Sequence, residues 1–239
     1  MATPSLPPPN GASLVRTSSG EQAALYVRQL IFDGHLTPGS RVPQDEIART
    51  LGISRIPLRV ALIALEREGW VTLEMHRGAF VNALDERAVR DHYELFGQIY
   101  GFTLQKAMER SGDEYVERLA ALDREIRSET NPSALSPLLM RFHTTMTAGA
   151  QSTRINAVLR SMSSIVPGDF FEQIPGAIEI ERSAIAEIVR AVQRGDAARG
   201  ARKYEEMMGK LAESVASVLR DRGLFELTEA ASVDDAAAG

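Results

Sequence analysis

Between Glu21 and Asn82 the apolar residues run three times at helical spacing and then change to short extended runs, an order that constrains the fold more than any other feature of the chain. Ala24, Val27, Leu30 and Ile31 recur every three or four residues, as on one face of a helix. Gly34 and then Pro38-Gly39 stop that helix and turn the chain. A second short helix is predicted from about Gln44 to Leu51, with Ile47, Ala48 and Leu51 facing inward. Gly52 follows it, where a helix end favours left-handed backbone. Ser54 opens a third helix with its hydroxyl placed to cap free N–H groups, and Pro57 falls in the first turn, where a missing N–H does no harm. Leu58, Leu62 and Leu65 form the inner stripe, and Gly69 ends the helix. Trp70 to Leu73 and Ala79 to Val81 read as two short strands around a polar tip from Glu74 to Gly78. Three helices followed by a small hairpin make the winged helix-turn-helix pattern.

The remainder, from about Asp85 to Phe225, shows almost only helical periods. Asp85, Gly112-Asp113, Asn131-Pro132 and Gly195-Asp196 mark breaks or caps, while Phe170, Phe171, Ile174 and Pro175 suggest an irregular apolar stretch. The predicted fold is therefore mostly α. A winged helix-turn-helix over residues 20–82 is followed by an all-α bundle of six or seven helices over residues 85–225. Residues 1–19, rich in Pro, Ser and Thr, read as a disordered leader without signal-peptide character. Residues 226–239, acidic and Ala-rich, read as an unstructured tail.

Several function classes fall away on composition. The chain has no cysteine, which excludes disulfides, Cys-ligated zinc and thiol nucleophiles and fits a cytoplasmic protein. No apolar run approaches the roughly 20 residues that span a bilayer, so no membrane partner is expected. The four histidines are His35, His76, His92 and His143, and they form neither a metalloprotease pair nor a Ser-His-Asp set. No phosphate-binding glycine loop is present, so the chain is not expected to be an enzyme.

Net charge is −5, and residues 21–82 hold seven Arg against seven Asp or Glu. A nucleic-acid face must therefore come from the placement of a few arginines rather than from bulk positive charge. Arg55 and Arg59 lie four apart and share one face of the third helix, opposite the leucine stripe. A helix held by its apolar back, with arginines near its N-terminal end, suits a major groove. Ser54 and the helix N-terminus add donors for a phosphate oxygen, and His76, Arg77 and Gly78 form a wing tip that reaches toward the adjacent minor groove. The alternative on spacing alone is two solvated arginines on an amphipathic helix.

The runs Leu36-Thr37-Pro38-Gly39-Ser40-Arg41-Val42, Glu46-Ile47-Ala48 and Leu51-Gly52-Ile53-Ser54-Arg55 resemble the GntR family of bacterial regulators. Pro57-Leu58-Arg59, Ala61-Leu62, Leu65-Glu66, Glu68-Gly69-Trp70-Val71 and Arg77-Gly78-Ala79 continue the resemblance at fixed spacings. It implies DNA contacts by Ser54, Arg55 and Arg59, with Arg77 and Gly78 in the wing. Ile56 stands where the family commonly has Thr and Val60 where it usually has Glu, so Ile56 enters the expected DNA-contacting set as a point of altered operator preference.

The helical remainder resembles the FCD ligand-binding domain of the FadR-like branch, through Phe142-His143, Asn156, Leu159 and Gly195-Asp196-Ala197. Many such domains hold a divalent metal with one Asp and three His. Here the matching positions are Leu139, His143, Ile185 and Lys210, so no metal cofactor is expected; an improvised site using His92 or nearby carboxylates is the alternative. Phe96 and Tyr100 stand where relatives often place Arg and Glu. An apolar cavity lined by Phe96, Tyr100, Leu139 and Ile185, with His143 and Lys210 as polar anchors, suits a larger hydrophobic effector such as an acyl chain, acyl thioester or steroid-like acid. The alternatives are that these positions pack together without ligand and that His143 is a core histidine with a satisfied hydrogen bond.

A recognition helix reads only a few base pairs, so a homodimer on palindromic double-stranded operator DNA is expected. The family resemblance implies a repressor released by its effector, with the short link from Asn82 to Asp85 absorbing a domain rotation. The rival reading is a helical interaction protein whose winged module binds protein rather than DNA.

Overall fold

A computed structural model of the chain describes residues 18–162 and 174–225. The expected leader up to residue 17, the tail from residue 226, and Phe170 and Phe171 lie outside the described residues. The described residues divide into two compact units, one of residues 18–86 with 220–225 and one of residues 87–162 with 174–219.

The first unit opens with α1 (Ser19–Phe32), two residues before the periodicity begins at Glu21. A capping box extends it: the Glu21 N–H donates to Ser18 Oγ at 3.2 Å and the Ser18 N–H donates to Glu21 Oε2 at 2.7 Å. Next come α2 (Gln44–Leu51), ended by Gly52 at φ 64°, and α3 (Arg55–Arg67). Strands β1 (Val71–Glu74) and β2 (Gly78–Val81) pair antiparallel, with Val71 opposite Val81 and Glu74 opposite Gly78. Residues 39–42 run beside β2 as a short third rung, since the Gly39 N–H donates to Val81 O and the Val42 N–H to Ala79 O, each at 2.8 Å. Leu30, Ile31, Phe32, Ile47, Leu58, Leu62, Leu65 and Trp70 are the buried centre of this unit.

Residues 220–225 belong to this unit as well. Leu224 is buried and its carbonyl accepts from the Leu84 N–H at 2.8 Å. The Arg222 guanidinium lies 4.1 Å from the centre of the Phe32 ring and donates to the Phe32 carbonyl at 2.7 Å. Such a cation over an aromatic face, also hydrogen-bonded, ties the C-terminal turn to α1. That placement departs from the expected helical domain running to residue 225.

The second unit holds six helices among the described residues: α4 (Glu86–Arg110), α5 (Asp113–Ser128), α6 (Pro132–Gly149), α7 (Thr153–Met162), α8 (Ala177–Gln193) and α9 (Ala197–Asp221). Gly112 and Asn131 sit at helix starts as the breaks suggested, and the Arg199 N–H donates to the Asp196 side chain at 2.9 Å at the head of α9. Gly97 and Gly101 let α4 approach α9 backbone to backbone: a Cβ at either position would lie 3.1 Å from Glu205 Cα or Ala201 Cβ respectively. This close approach brings Tyr100 of α4 and Tyr204 of α9 into a parallel stack with centroids 5.2 Å apart.

His92 on α4 is half-buried, its ring 5.8 Å from those of Tyr93 and Phe96. Burial lowers its pKa below the ordinary 6.5, outweighing a hydrogen bond to the Met162 backbone that raises it. The folded state thus resists the proton that the unfolded chain accepts. Stability should be fully present above the unfolded pKa and be lost as pH falls from there through the lowered folded value. Denaturant midpoints measured from about pH 7.5 down to about pH 5.5 should fall, and His92→Gln should flatten that slope. An unchanged slope in the variant would show that other groups set the acid sensitivity.

Candidate functional site

Helix α3 buries Leu58, Ala61, Leu62 and Leu65 and turns Arg55, Ile56, Arg59 and Val60 outward. The 3.6-residue period produces both faces at once, so the core that anchors the helix also aims its arginines. Ser54 has the extended backbone of an N-cap (φ −77°, ψ 170°) but makes no side-chain cap bond, contrary to the expected hydroxyl cap. The reason is Pro57: it occupies the third helical position, whose N–H is a usual partner of a capping hydroxyl, and proline has none. The Ser54 hydroxyl is exposed at the mouth of the helix, beside N–H groups that point outward.

Arg55 Nη2 lies 2.8 Å from Asp45 Oδ1 on α2, with both side chains mostly exposed. Such a surface pair is worth at most about 1 kcal/mol and exchanges readily for a phosphate. Arg41, Gln44, Asp45, Glu46, Arg49 and Arg55 line one open groove. Arg41 and Arg49 therefore join the arginines on this face; neither lies on α3, so helical spacing within α3 gave no sign of them.

At the hairpin tip His76 takes a left-handed backbone (φ 62°) and is exposed, as is Arg77. Arg77 pairs with Glu74 and lies 5.3 Å from the Phe80 ring centre. Gly78, at φ 109°, meets both a conformational and a steric demand, since a Cβ there would lie 3.1 Å from Arg41 Nε. Ser54, Arg55, Ile56 and Arg59 thus lie at or just after the start of α3, and His76, Arg77 and Gly78 at the hairpin, all in one unit.

In the second unit the residues expected around an effector are mostly brought together. Phe96 and Tyr100 of α4 contact each other at 4.8 Å between centroids, and the Tyr100 ring lies 5.5 Å from that of His143 on α6. Leu139, one turn before His143, and Ile185 of α8 are buried. Lys210 is exposed and does not belong to the cluster. Tyr204, six residues earlier on α9, faces inward, and six residues advance a helix by about 600°, which carries Lys210 well away from that direction. Glu181 of α8 and Tyr204 supply the polar groups that spacing missed, because only the packing of distant helices puts them beside His143.

His143 Nδ1 lies 3.3 Å from the Tyr204 hydroxyl, and Nε2 lies 3.5 Å from Glu181 Oε2, too long for a good hydrogen bond. With the phenol donating to Nδ1, the ring proton sits on Nε2 and faces the carboxylate. Burial, helped by Glu181, raises the Tyr100 pKa to about 12 and pushes Tyr204 up well beyond its ordinary value, so both phenols are neutral donors. His143 is thus buried with one nitrogen satisfied and the other underused.

The donor set does not fit the metal of the resembling domains. Leu139 and Ile185 offer no ligand atom, leaving His143 and Glu181. Among the described residues no three His, Asp or Glu side chains are grouped to hold an ion. Among the same residues no helix is long and apolar enough to cross a membrane.

Comparison with known proteins supports the N-terminal assignment. Residues 19–81 match the family described as bacterial regulatory proteins, gntR family. An uncharacterised HTH-type transcriptional regulator of Mycobacterium tuberculosis is 29% identical over 151 residues, covering 63% of this chain and 62% of that protein. The fatty acid metabolism regulator protein of Vibrio vulnificus is 24% identical over 174 residues, covering 67% of this chain and 53% of that protein. The matched regions therefore span less than two thirds of these relatives. A crystal structure of a GntR-family transcriptional regulator from Pseudomonas syringae shares the fold, with a TM-score of 0.51 at 19% identity over 85% of this chain and 87% of that one. All three are named as regulators. Residues 19–81, which carry the winged helix-turn-helix, match the GntR family of bacterial regulatory proteins, and the chain is similar to regulators of that kind.

Proposed function

We propose that this chain is a cytoplasmic transcription regulator that binds operator DNA as a homodimer and releases it when a hydrophobic effector fills the helical unit. The observation that carries the reading is α3, which exposes Arg55 and Arg59 along one face while Leu58, Leu62 and Leu65 anchor the other. Arg41 and Arg49 extend the basic face, which supplies phosphate contacts without a positive net charge. One short helix reads few base pairs, so two copies about a twofold axis are needed for a specific site.

The effector reading rests on the cluster of Phe96, Tyr100, Leu139, His143, Ile185 and Tyr204. Its side chains are mostly apolar and aromatic, and among the described residues they do not make up a divalent-metal ligand set. Glu181 sharpens the choice of ligand. A buried carboxylate repels a free acid, so a neutral group such as an acyl thioester or hydroxyl suits the site better than a carboxylate. The kinship with a protein named for regulating fatty acid metabolism supports an acyl ligand.

Selection from random-sequence DNA with the full chain tests both parts. It should return an inverted repeat, and a thermal-shift panel should then show stabilisation by long acyl thioesters rather than by small dicarboxylates. Enrichment of no DNA sequence would favour a winged module that binds protein. Stabilisation by small dicarboxylates alone would overturn the hydrophobic effector.

A further inference from the structure

Ile56 and Val60 are exposed where a helix gains nothing from them. The other large apolar side chains on α3 are buried or half-buried, yet Ile56 is 76% and Val60 58% exposed. β-Branched residues are also weaker helix formers than the Lys, Arg or Gln that an outward position would accept. Among the described residues of the N-terminal unit, the remaining exposed large hydrophobic is Met75, at the tip of the hairpin. All three therefore lie on the recognition helix or the wing.

The two α3 residues lie four apart and interleave with Arg55 and Arg59, so charge and apolar surface alternate along one outward strip. Arginines match phosphates and guanine edges. The apolar group that base pairs offer in the major groove is the 5-methyl of thymine. Ile56, at the second helical position, stands near the end of the helix that reaches base edges in this geometry. Val60, a turn later, is partly flanked by the start of α1 at Gly20.

We propose that Ile56, supported by Val60, reads thymine in each operator half-site through its 5-methyl group. The inference rests on the DNA-binding reading above and goes beyond it by naming the base and the atom recognised. It also makes Ile56 a specificity residue whose replacement leaves the fold intact, because its side chain supports no core.

The test uses the full chain and the selected duplex, with each thymine replaced in turn by deoxyuridine, which removes only the methyl. Binding is followed by fluorescence anisotropy for the wild type, Ile56→Ala and Arg59→Ala, after thermal melts show that the variants are folded. At one thymine per half-site the wild type should lose roughly three- to fivefold in affinity, the scale of one methyl withdrawn from apolar contact. Ile56→Ala should be nearly indifferent to the same replacement. Two outcomes would overturn the proposal: a wild type indifferent to every methyl, or an Ile56→Ala variant that suffers the same loss. If Arg59→Ala still abolishes binding in either case, the DNA-binding reading stands and only the thymine contact falls. If Arg59→Ala binds as the wild type does, both fall.

Discussion

Gly101→Val is expected to disrupt the helical unit and dismantle the cluster around His143. A Cβ at position 101 would lie 3.1 Å from Ala201 Cβ, 3.2 Å from the Ala201 carbonyl oxygen and 3.3 Å from Ala201 Cα. Two of those three atoms are backbone, so no rotamer change relieves the crowding; α9 must move away. Valine adds two further methyl groups to the same space. Overpacked cores typically lose about 1–3 kcal/mol, and contact against an opposing backbone puts this site at or above the upper end. That is a large share of the roughly 5–15 kcal/mol that holds a domain together.

The same change acts on function, because Gly97 and Gly101 set the distance at which Tyr100 stacks on Tyr204. Separating α4 from α9 breaks the stack and shifts the phenol that contacts His143 Nδ1. Chemical denaturation followed by circular dichroism should show a lower midpoint for Gly101→Val. Gly209→Ala provides the control, since a Cβ there meets nothing within 4 Å. A Gly101→Val protein as stable as the wild type would mean that α4 and α9 do not meet at this glycine.

The winged helix-turn-helix unit was largely legible in the sequence because its information is local. Gly52 terminates α2 and Gly69 follows α3, both with positive φ, and these are positions that chain order alone identifies. The start of α1 was also written locally, in Ser18 and Glu21, but the Ser- and Pro-rich run before it masked the capping box. Ser54 shows the opposite failure: its residue type fits a cap, while Pro57 three positions later removes the partner.

The remaining differences are long-range. Arg222 reaches the Phe32 carbonyl across 190 residues, and nothing in its neighbourhood in sequence announces that. Glu181 and Tyr204 converge on His143 from helices that periodicity describes only one at a time. Register along a helix explains Lys210: the positions around it are helical as expected, yet the inward polar group on α9 is Tyr204. The break between α6 and α7 carried little signal as well, since Gln151 adopts a left-handed backbone without being glycine.

Arg59→Ala is the second change with a large expected effect. Arg59 is exposed on α3, one turn after Arg55, and lies away from the core residues Leu58, Ala61 and Leu62. Its loss should therefore spare the fold. A hydrogen bond to a charged group is worth about 1.5–3 kcal/mol, and the proposed homodimer would lose two such contacts. Affinity for operator DNA should fall by about a hundredfold or more. The dependence on salt should change too, since each lost phosphate contact removes about 0.9 from the log–log slope.

The central claim, that α3 is a DNA-reading helix, meets its most direct test in fluorescence anisotropy of wild type and Arg59→Ala on the selected operator across a salt series. The wild type should bind tightly and with strong salt dependence, and the variant should be weakened with its slope lower by about 2. Equal affinities and equal slopes for the two proteins would contradict it.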